Sequence, residues 1–182
     1  MDNHLKKGNI FPDAALFNAH AEKTSMYRLL NLGKNLVYFL RDYSCVLAQY
    51  AIRDIAENQP GLEKAGLRII CVVDSTAEAL NKYPEICKFP FDIIAGEEGD
   101  VYSCYGVDEA DSKEHLGNQR TMAKIAEAKA AGLTHGKYDS GSGLRLPAVF
   151  LVDSRHMVME AYYGKTGDDL PTIKEITDTW KI

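Results

Sequence analysis

Cys45 closes the segment LVYFLRDYSC (36–45), where an apolar run gives way to a short polar turn and a helical pattern begins. A thiol there lies in the first turn of a helix, where unpaired backbone N–H groups and the helix dipole favour an anion. The thiolate is the nucleophilic form of cysteine, so the position suits a reactive thiol. The other reading is a small apolar residue packed behind the loop, because free cysteines are commonly buried; the segment supports both. Of the remaining cysteines, Cys71 sits inside the apolar run LRIICVV and reads as structural. Cys87 and Cys104 fall near loop or helix ends. Either would resolve an oxidised Cys45 only if the paired Cα atoms lay within about 7 Å, and a structural role is the simpler reading. The five histidines (His4, His20, His115, His135, His156) are scattered without zinc-site spacing. The SGSG at 140–143 precedes a strand pattern rather than following one, so it is no phosphate loop. Neither a metal nor another cofactor is expected.

The elements that must position Cys45 follow from the surrounding patterns. Residues 36–40 are apolar, aromatic and β-branched, as in a buried strand. Ser44 is a good N-cap, Leu47, Ala51 and Ile55 share a helical face, and Pro60-Gly61 is the expected stop. Residues 67–73 read as a strand covered on both faces. Asp74 or Ser75 then offers an N-cap for a short helix ending at Pro84. A strand at 91–95, a tight turn at 97–100 and a helical turn through Tyr105 come next. A helix rich in Ala, Lys and Glu is expected over 112–132, with Gly132 as its stop, before a polar loop at 134–143. Strands at 146–153 and 157–163 form a hairpin, and a helix over 168–180 with Pro171 near its start ends the sequence. Upstream, 14–26 suits a small hairpin and 27–32 a short helix. This order predicts an α/β fold: a central, mostly parallel sheet with a C-terminal antiparallel hairpin and helices on both faces. In such sheets sites form beyond the carboxyl ends of strands, and the Cys45 loop follows such an end.

The 182 residues suit a single domain with a substantial core, 1–182, carrying a helical insertion near 108–143. A net charge of −5 without a basic run argues against nucleic acid as a partner. No apolar stretch approaches membrane-spanning length, and the first residues lack the apolar core of a secretory signal. Four scattered cysteines do not make a disulfide framework, so a reducing, cytoplasmic location is expected.

Three segments, NLVYFLRDYSC (35–45), FDIIAGEEGDVYSCYGV (91–107) and LPAVFLVDSRHMVMEAYYGKTGDDLPTIKEI (146–176), together resemble the peroxiredoxin-like branch of the alkyl hydroperoxide reductase/thiol-specific antioxidant family. The resemblance runs from about residue 13 onward and implies a thioredoxin-like fold. In that branch the active-site turn is a C-x-x-C with an exposed first cysteine as nucleophile. Here it reads Cys45-Val46-Leu47-Ala48, with alanine at the second place. The resemblance also matches Pro147 to the cis-proline that faces the nucleophile in thioredoxin-like proteins. True peroxiredoxins carry P-x-x-x-T/S-x-x-C, and Tyr38 and Asp42 stand here where the proline and hydroxyl residue would be. An anionic Asp42 opposes the thiolate, and the peroxidatic cysteine of peroxiredoxins tends to match the place of Ala48.

Arg41, at the strand end, and Arg145, two residues before Pro147, are the cations able to offset Asp42. A guanidinium favours the thiolate and donates to a peroxide oxygen. The expected catalytic set is Cys45, Arg41 and Pro147, with Tyr43, Ser44, Arg145 and Leu146 in contact with substrate. The Tyr162-Tyr163 pair is a further candidate for pocket lining. The implied activity is a thiol-dependent reduction of a small peroxide or of a protein or low-molecular-weight disulfide, with an external thiol, glutathione or a thioredoxin-like protein, as reductant. A different class of function, a redox-inactive binding module on the same fold, is the alternative that Asp42 and Ala48 suggest. Homodimers are common among the relatives implied, while no segment of this chain marks an interface.

Overall fold

The computed structural model describes residues 3–96, 101–137 and 142–182. The turn expected at 97–100 and part of the loop at 134–143 therefore lie outside the described residues. The chain opens with β1 (Ala15–Phe17) and β2 (Lys23–Ser25), a small hairpin, then α1 (Met26–Leu29). The unit that carries Cys45 follows: β3 (Lys34–Leu40), α2 (Val46–Lys64) and β4 (Leu67–Val73). After α3 (Ala77–Asn81) and a 3-10 turn at Pro84–Lys88 come β5 (Asp92–Ala95) and α4 (Val101–Cys104). Next are α5 (Lys113–Leu116) and α6 (Gln119–Ala130), then β6 (Ala148–Val152), β7 (Val158–Tyr163) and α7 (Ile173–Trp180).

The seven strands form one sheet in the order β2-β1-β5-β4-β3-β6-β7. Among the described residues only β3–β4 and β4–β5 pair in parallel; β1–β2, β1–β5, β3–β6 and β6–β7 are antiparallel. The sheet is therefore mixed, not mostly parallel. Parallel neighbours require a crossover, and helices cross over only at α2 and along 77–88. The β1–β2 hairpin and the β6–β7 hairpin extend the two sides of this parallel centre.

Alternation along the central strands separates two apolar layers. Leu36, Tyr38 and Leu40 face one way, with Ile52 and Ile55 of α2 and Ile173 and Ile176 of α7. Val37 and Phe39 face the other, with Phe11, Tyr102, Tyr105 and Phe150. Because both faces are covered, β3 and β4 are apolar almost throughout. Phe39 meets Tyr102 and Phe150 edge-on at centroid distances of 5.3 and 5.7 Å, a favoured aromatic geometry.

Several element ends differ from the sequence expectation, each for a local reason. Cys45, not Ser44, is the N-cap of α2, and it makes no side-chain capping bond. Helix α2 passes through Pro60 to Lys64, and Gly66, at φ +75°, supplies the left-handed residue that ends it. Thr76, not Asp74 or Ser75, caps α3 by accepting from the Ala79 N–H at 3.0 Å. The Ser75 hydroxyl is instead engaged with the Asp42 carboxylate at 2.9 Å. The helix expected over 112–132 breaks at Gly117, and Asn118 with Thr121 opens α6 as a capping box. Helix α7 begins after a second capping box, Thr172 with Glu175, so Pro171 precedes the cap. Among the described residues no helix is long and apolar enough to cross a membrane.

Candidate active site

Strand β3 ends at Leu40, and the next five residues turn the chain into α2. The turn is held by Asp42. Its Oδ1 accepts the Ser44 N–H at 2.7 Å, its Oδ2 accepts the Ser75 hydroxyl at 2.9 Å, and its carbonyl accepts the Cys45 N–H at 2.9 Å. Ser75 Oγ in turn accepts the Tyr43 N–H at 3.2 Å. The carboxylate thus ties the end of β3 to the end of β4. Sequence reasoning treated Asp42 only as a charge opposing the thiolate; the structure makes it the organiser of the loop.

Arg41 and Cys45 meet directly. Arg41 Nε donates to Cys45 Sγ at 3.3 Å, and its Nη2 donates to the Gly143 carbonyl at 2.9 Å. The pair is deeply buried, with Arg41 6% and Cys45 2% exposed. A guanidinium N–H aimed at sulfur stabilises negative charge on it. Gly167 passes close by: a Cβ there would lie 3.0 Å from Arg41 Nη1, so a larger residue would press on the guanidinium.

A second segment, 133–137, lies across the turn. Gly136 N–H donates to the Ser44 carbonyl at 2.8 Å, and Gln49 Nε2 bridges the carbonyls of Tyr43 and Thr134 at 3.0 and 3.2 Å. The Val46 N–H, first of the helix, points to His135 Nδ1 at 3.5 Å. The approach at Gly136 is close: a Cβ there would stand 3.0 Å from the Ser44 Cβ, so a larger residue would press on the turn. Partial desolvation, then Arg41 and Lys129, lower the His135 pKa from its ordinary value, against an opposing pull from Asp42. No sequence signal pointed to His135 or Gln49, because their partners lie far along the chain.

The other expected residues are placed unevenly. Tyr43 is buried, its ring edge-on to Tyr83 at 4.8 Å. Burial first, then Glu85 and Tyr83, push its phenol up. Ser44 is buried too, and its hydroxyl has no partner among the described residues. Leu146 is half-buried and donates its N–H to the Asp108 carbonyl at 3.0 Å. Pro147 follows at the start of β6, whose pairing of Ala148 with Phe39 sets it beside the end of β3. The bond preceding it is trans, not the cis form that the resemblance implied, in keeping with the intrinsic preference of X–Pro bonds. Pro147, Arg41 and Ala48 line one cavity of about 330 Å³, which Cys45 does not line.

Arg145 is held elsewhere. It pairs with Asp74 at 3.4 Å and Glu109 at 3.3 Å, donates to the Val107 carbonyl at 3.3 Å and lies over the Tyr102 ring at 4.5 Å. None of these groups belongs to the Cys45 turn. Burial raises the Asp74 carboxyl, with Arg145 opposing that rise. Cys71 is fully buried, and burial first, then Asp92, pushes its thiol up. Cys87 and Cys104 are exposed, and all four cysteines are free.

Solved structures share this fold. The peroxiredoxin 6 of Arenicola marina, solved as a C45S mutant, matches with a TM-score of 0.70 at 13% identity, covering 97% of this chain and 72% of that one. A peroxiredoxin-like protein from Aquifex aeolicus matches with a TM-score of 0.69 at 14% identity over 98% and 87% of the two chains. The peroxidoxin BcpB from Mycobacterium tuberculosis matches with a TM-score of 0.62 at 13% identity over 97% and 94%. At such identities the likeness concerns the fold. No curated protein matches the sequence. The family model described as AhpC/TSA matches residues 7–161. With most of its length matched to that model, and with the fold of peroxiredoxins, the chain belongs to the AhpC/TSA family.

Proposed function

We propose that the protein is a thiol-dependent oxidoreductase that reduces a peroxide or a disulfide through Cys45, in a single thioredoxin-like domain. The observation that carries this reading is the 3.3 Å contact between Arg41 Nε and Cys45 Sγ at the N-cap of α2. Both the guanidinium and the helix N-terminus favour negative charge on sulfur. With a peroxide, the thiolate attacks one oxygen; the S–O bond forms as the O–O bond breaks. Sulfur is oxidised to sulfenate, and the departing oxygen takes a proton to leave as water or an alcohol. An external thiol such as glutathione or a thioredoxin-like protein then attacks the sulfenic sulfur and releases water, leaving a mixed disulfide. A second thiol displaces Cys45 from it. With a disulfide substrate the thiolate attacks one sulfur and expels the other as a thiolate. Ala48 offers no sulfur, so the mixed disulfide takes the place of an internal C-x-x-C bridge. We place this chemistry in a reducing, cytoplasmic setting, where scattered cysteines stay thiols.

One observation favours a second reading, a binding module without redox turnover: Cys45 is 2% exposed, beneath segment 133–137. Mass spectrometry of the reduced protein and of Cys45→Ser, each exposed to a small excess of hydrogen peroxide, separates the two. Rapid sulfenate or mixed-disulfide formation confined to Cys45 is the expected result. Slow oxidation spread over Cys87 and Cys104, unchanged in Cys45→Ser, would leave the binding module.

A further inference from the structure

Between α2, the end of β3 and the segment leading into α7 lies the cavity of about 330 Å³, within the size range of small-molecule sites. Its walls are largely apolar, formed by Leu40, Leu47, Ala51, Ile55, Leu170 and Ile173. Arg53, Glu57 and Ala131 of its lining are exposed, so the space is a cleft open to solvent, and Ala48 and Ala51 line it where larger helix residues would fill it.

Tyr38 lines the same cavity and is 1% exposed, and its hydroxyl has no hydrogen-bond partner among the described residues. Buried hydroxyls are normally paired. Burial, then Cys71 and Asp54, raise its pKa well above the ordinary phenol value, so it remains a neutral group that both donates and accepts. Charges of both signs stand around the space and are engaged with the protein. Arg53 holds Glu57 at 3.2 Å and the Ala131 carbonyl at 3.0 Å. Lys124 donates to the Asp168 carbonyl at 3.1 Å, and Asp54 Oδ2 accepts the Ile173 N–H at 3.3 Å. Arg41, bound to Cys45 and the Gly143 carbonyl, and Asp168, bound to Thr121 and Thr166, complete a lining in which three cations face three anions, a balance that selects neither an anion nor a cation.

We infer that this cavity binds a small uncharged molecule with an apolar body and a single hydroxyl, an alcohol or phenol, whose oxygen pairs with the Tyr38 hydroxyl. The cavity adjoins the sulfur chemistry through Arg41 and Pro147, which line it, while Cys45 itself does not. It is therefore tested on the Cys45→Ser protein, where a failure of the oxidoreductase reading has no influence. NMR titration with 4-ethylphenol and with 4-ethyltoluene, which lacks the hydroxyl, should give saturable shifts at the Ala48 and Ala51 methyl groups. Tyr38→Phe, which removes an unpartnered oxygen and leaves the ring, should weaken 4-ethylphenol at least fivefold and leave 4-ethyltoluene within twofold. Ala51→Leu should abolish binding of both, with an unchanged amide spectrum elsewhere. Absence of saturable shifts with 4-ethylphenol, equal weakening of both probes by Tyr38→Phe, or binding unchanged by Ala51→Leu would each overturn the assignment.

Discussion

Arg41 and Arg145 reach the same end of the sheet from neighbouring antiparallel strands, one just after β3 and the other just before β6. Both are largely buried, yet one ends on sulfur and the other among carboxylates. Arg41 gives its Nε–H to Cys45 and an Nη–H to a backbone carbonyl. Arg145 is neutralised by Asp74 and Glu109 and stacked on Tyr102. Proximity alone thus does not bring an arginine to the thiol; the partners already present decide which guanidinium reaches it. The two aspartates divide in the same manner. Asp42 is drawn into the loop by Ser44 and Ser75, whereas Asp74 depends on Arg145 for its countercharge.

Substitution of each arginine by methionine, which keeps the apolar stem, sharpens this contrast. Arg145→Met leaves the Asp74 carboxylate buried without its cation and should destabilise the fold by about 3 kcal/mol, read as a fall in the urea midpoint. The rate of Cys45 modification by peroxide, measured on the folded fraction, should stay within about twofold of wild type. Arg41→Met should show the reverse emphasis. Loss of the Nε–H donor to sulfur should slow Cys45 modification about tenfold, the loss of roughly one charge-assisted hydrogen bond. The contrast breaks if Arg145→Met slows Cys45 as much as Arg41→Met does.

What the sequence disclosed follows how local the determinants are. The β3–turn–α2 unit was legible because an apolar run, a polar turn and a four-residue repeat adjoin one another, and they delivered Cys45 and Arg41 together. The interior place of Cys71 and the β6–β7 hairpin were legible for the same reason. The cap of α3 was not, because the Ser75 hydroxyl is claimed by Asp42, a residue 33 positions away. The partners of Arg145 were not legible on similar grounds: Asp74 and Glu109 come from other loops. The antiparallel pairing of β1 with β5 rests on a single register pair, Phe17 with Ala95, which no periodicity announces. His135 reaches the α2 N-terminus across 89 positions and left no pattern at all.

That last contact sets the smallest and most specific test of how the two regions differ, since Arg145 is fixed by two carboxylates while the cover over Cys45 rests partly on an imidazole. The Val46 N–H needs an acceptor, and His135 Nδ1 accepts only in neutral imidazole. The groups facing His135 are Arg41 from the end of β3, Lys129 of α6 and Asp42 of the turn. Desolvation and the two cations lower the folded pKa below the unfolded value of about 6.5. The open or unfolded chain therefore binds the proton more readily. The tie is complete above about pH 6.5 and is lost as pH falls toward the lowered folded value. A single hydrogen bond of about 1 kcal/mol corresponds to roughly fivefold faster exchange of the Val46 amide at acid pH, after correction for intrinsic rates. His135→Phe should exchange at the faster level at neutral pH as well, with the acid step gone. Equal Val46 protection on both sides of that range in the wild-type protein would mean that His135 does not hold segment 133–137 over the thiol.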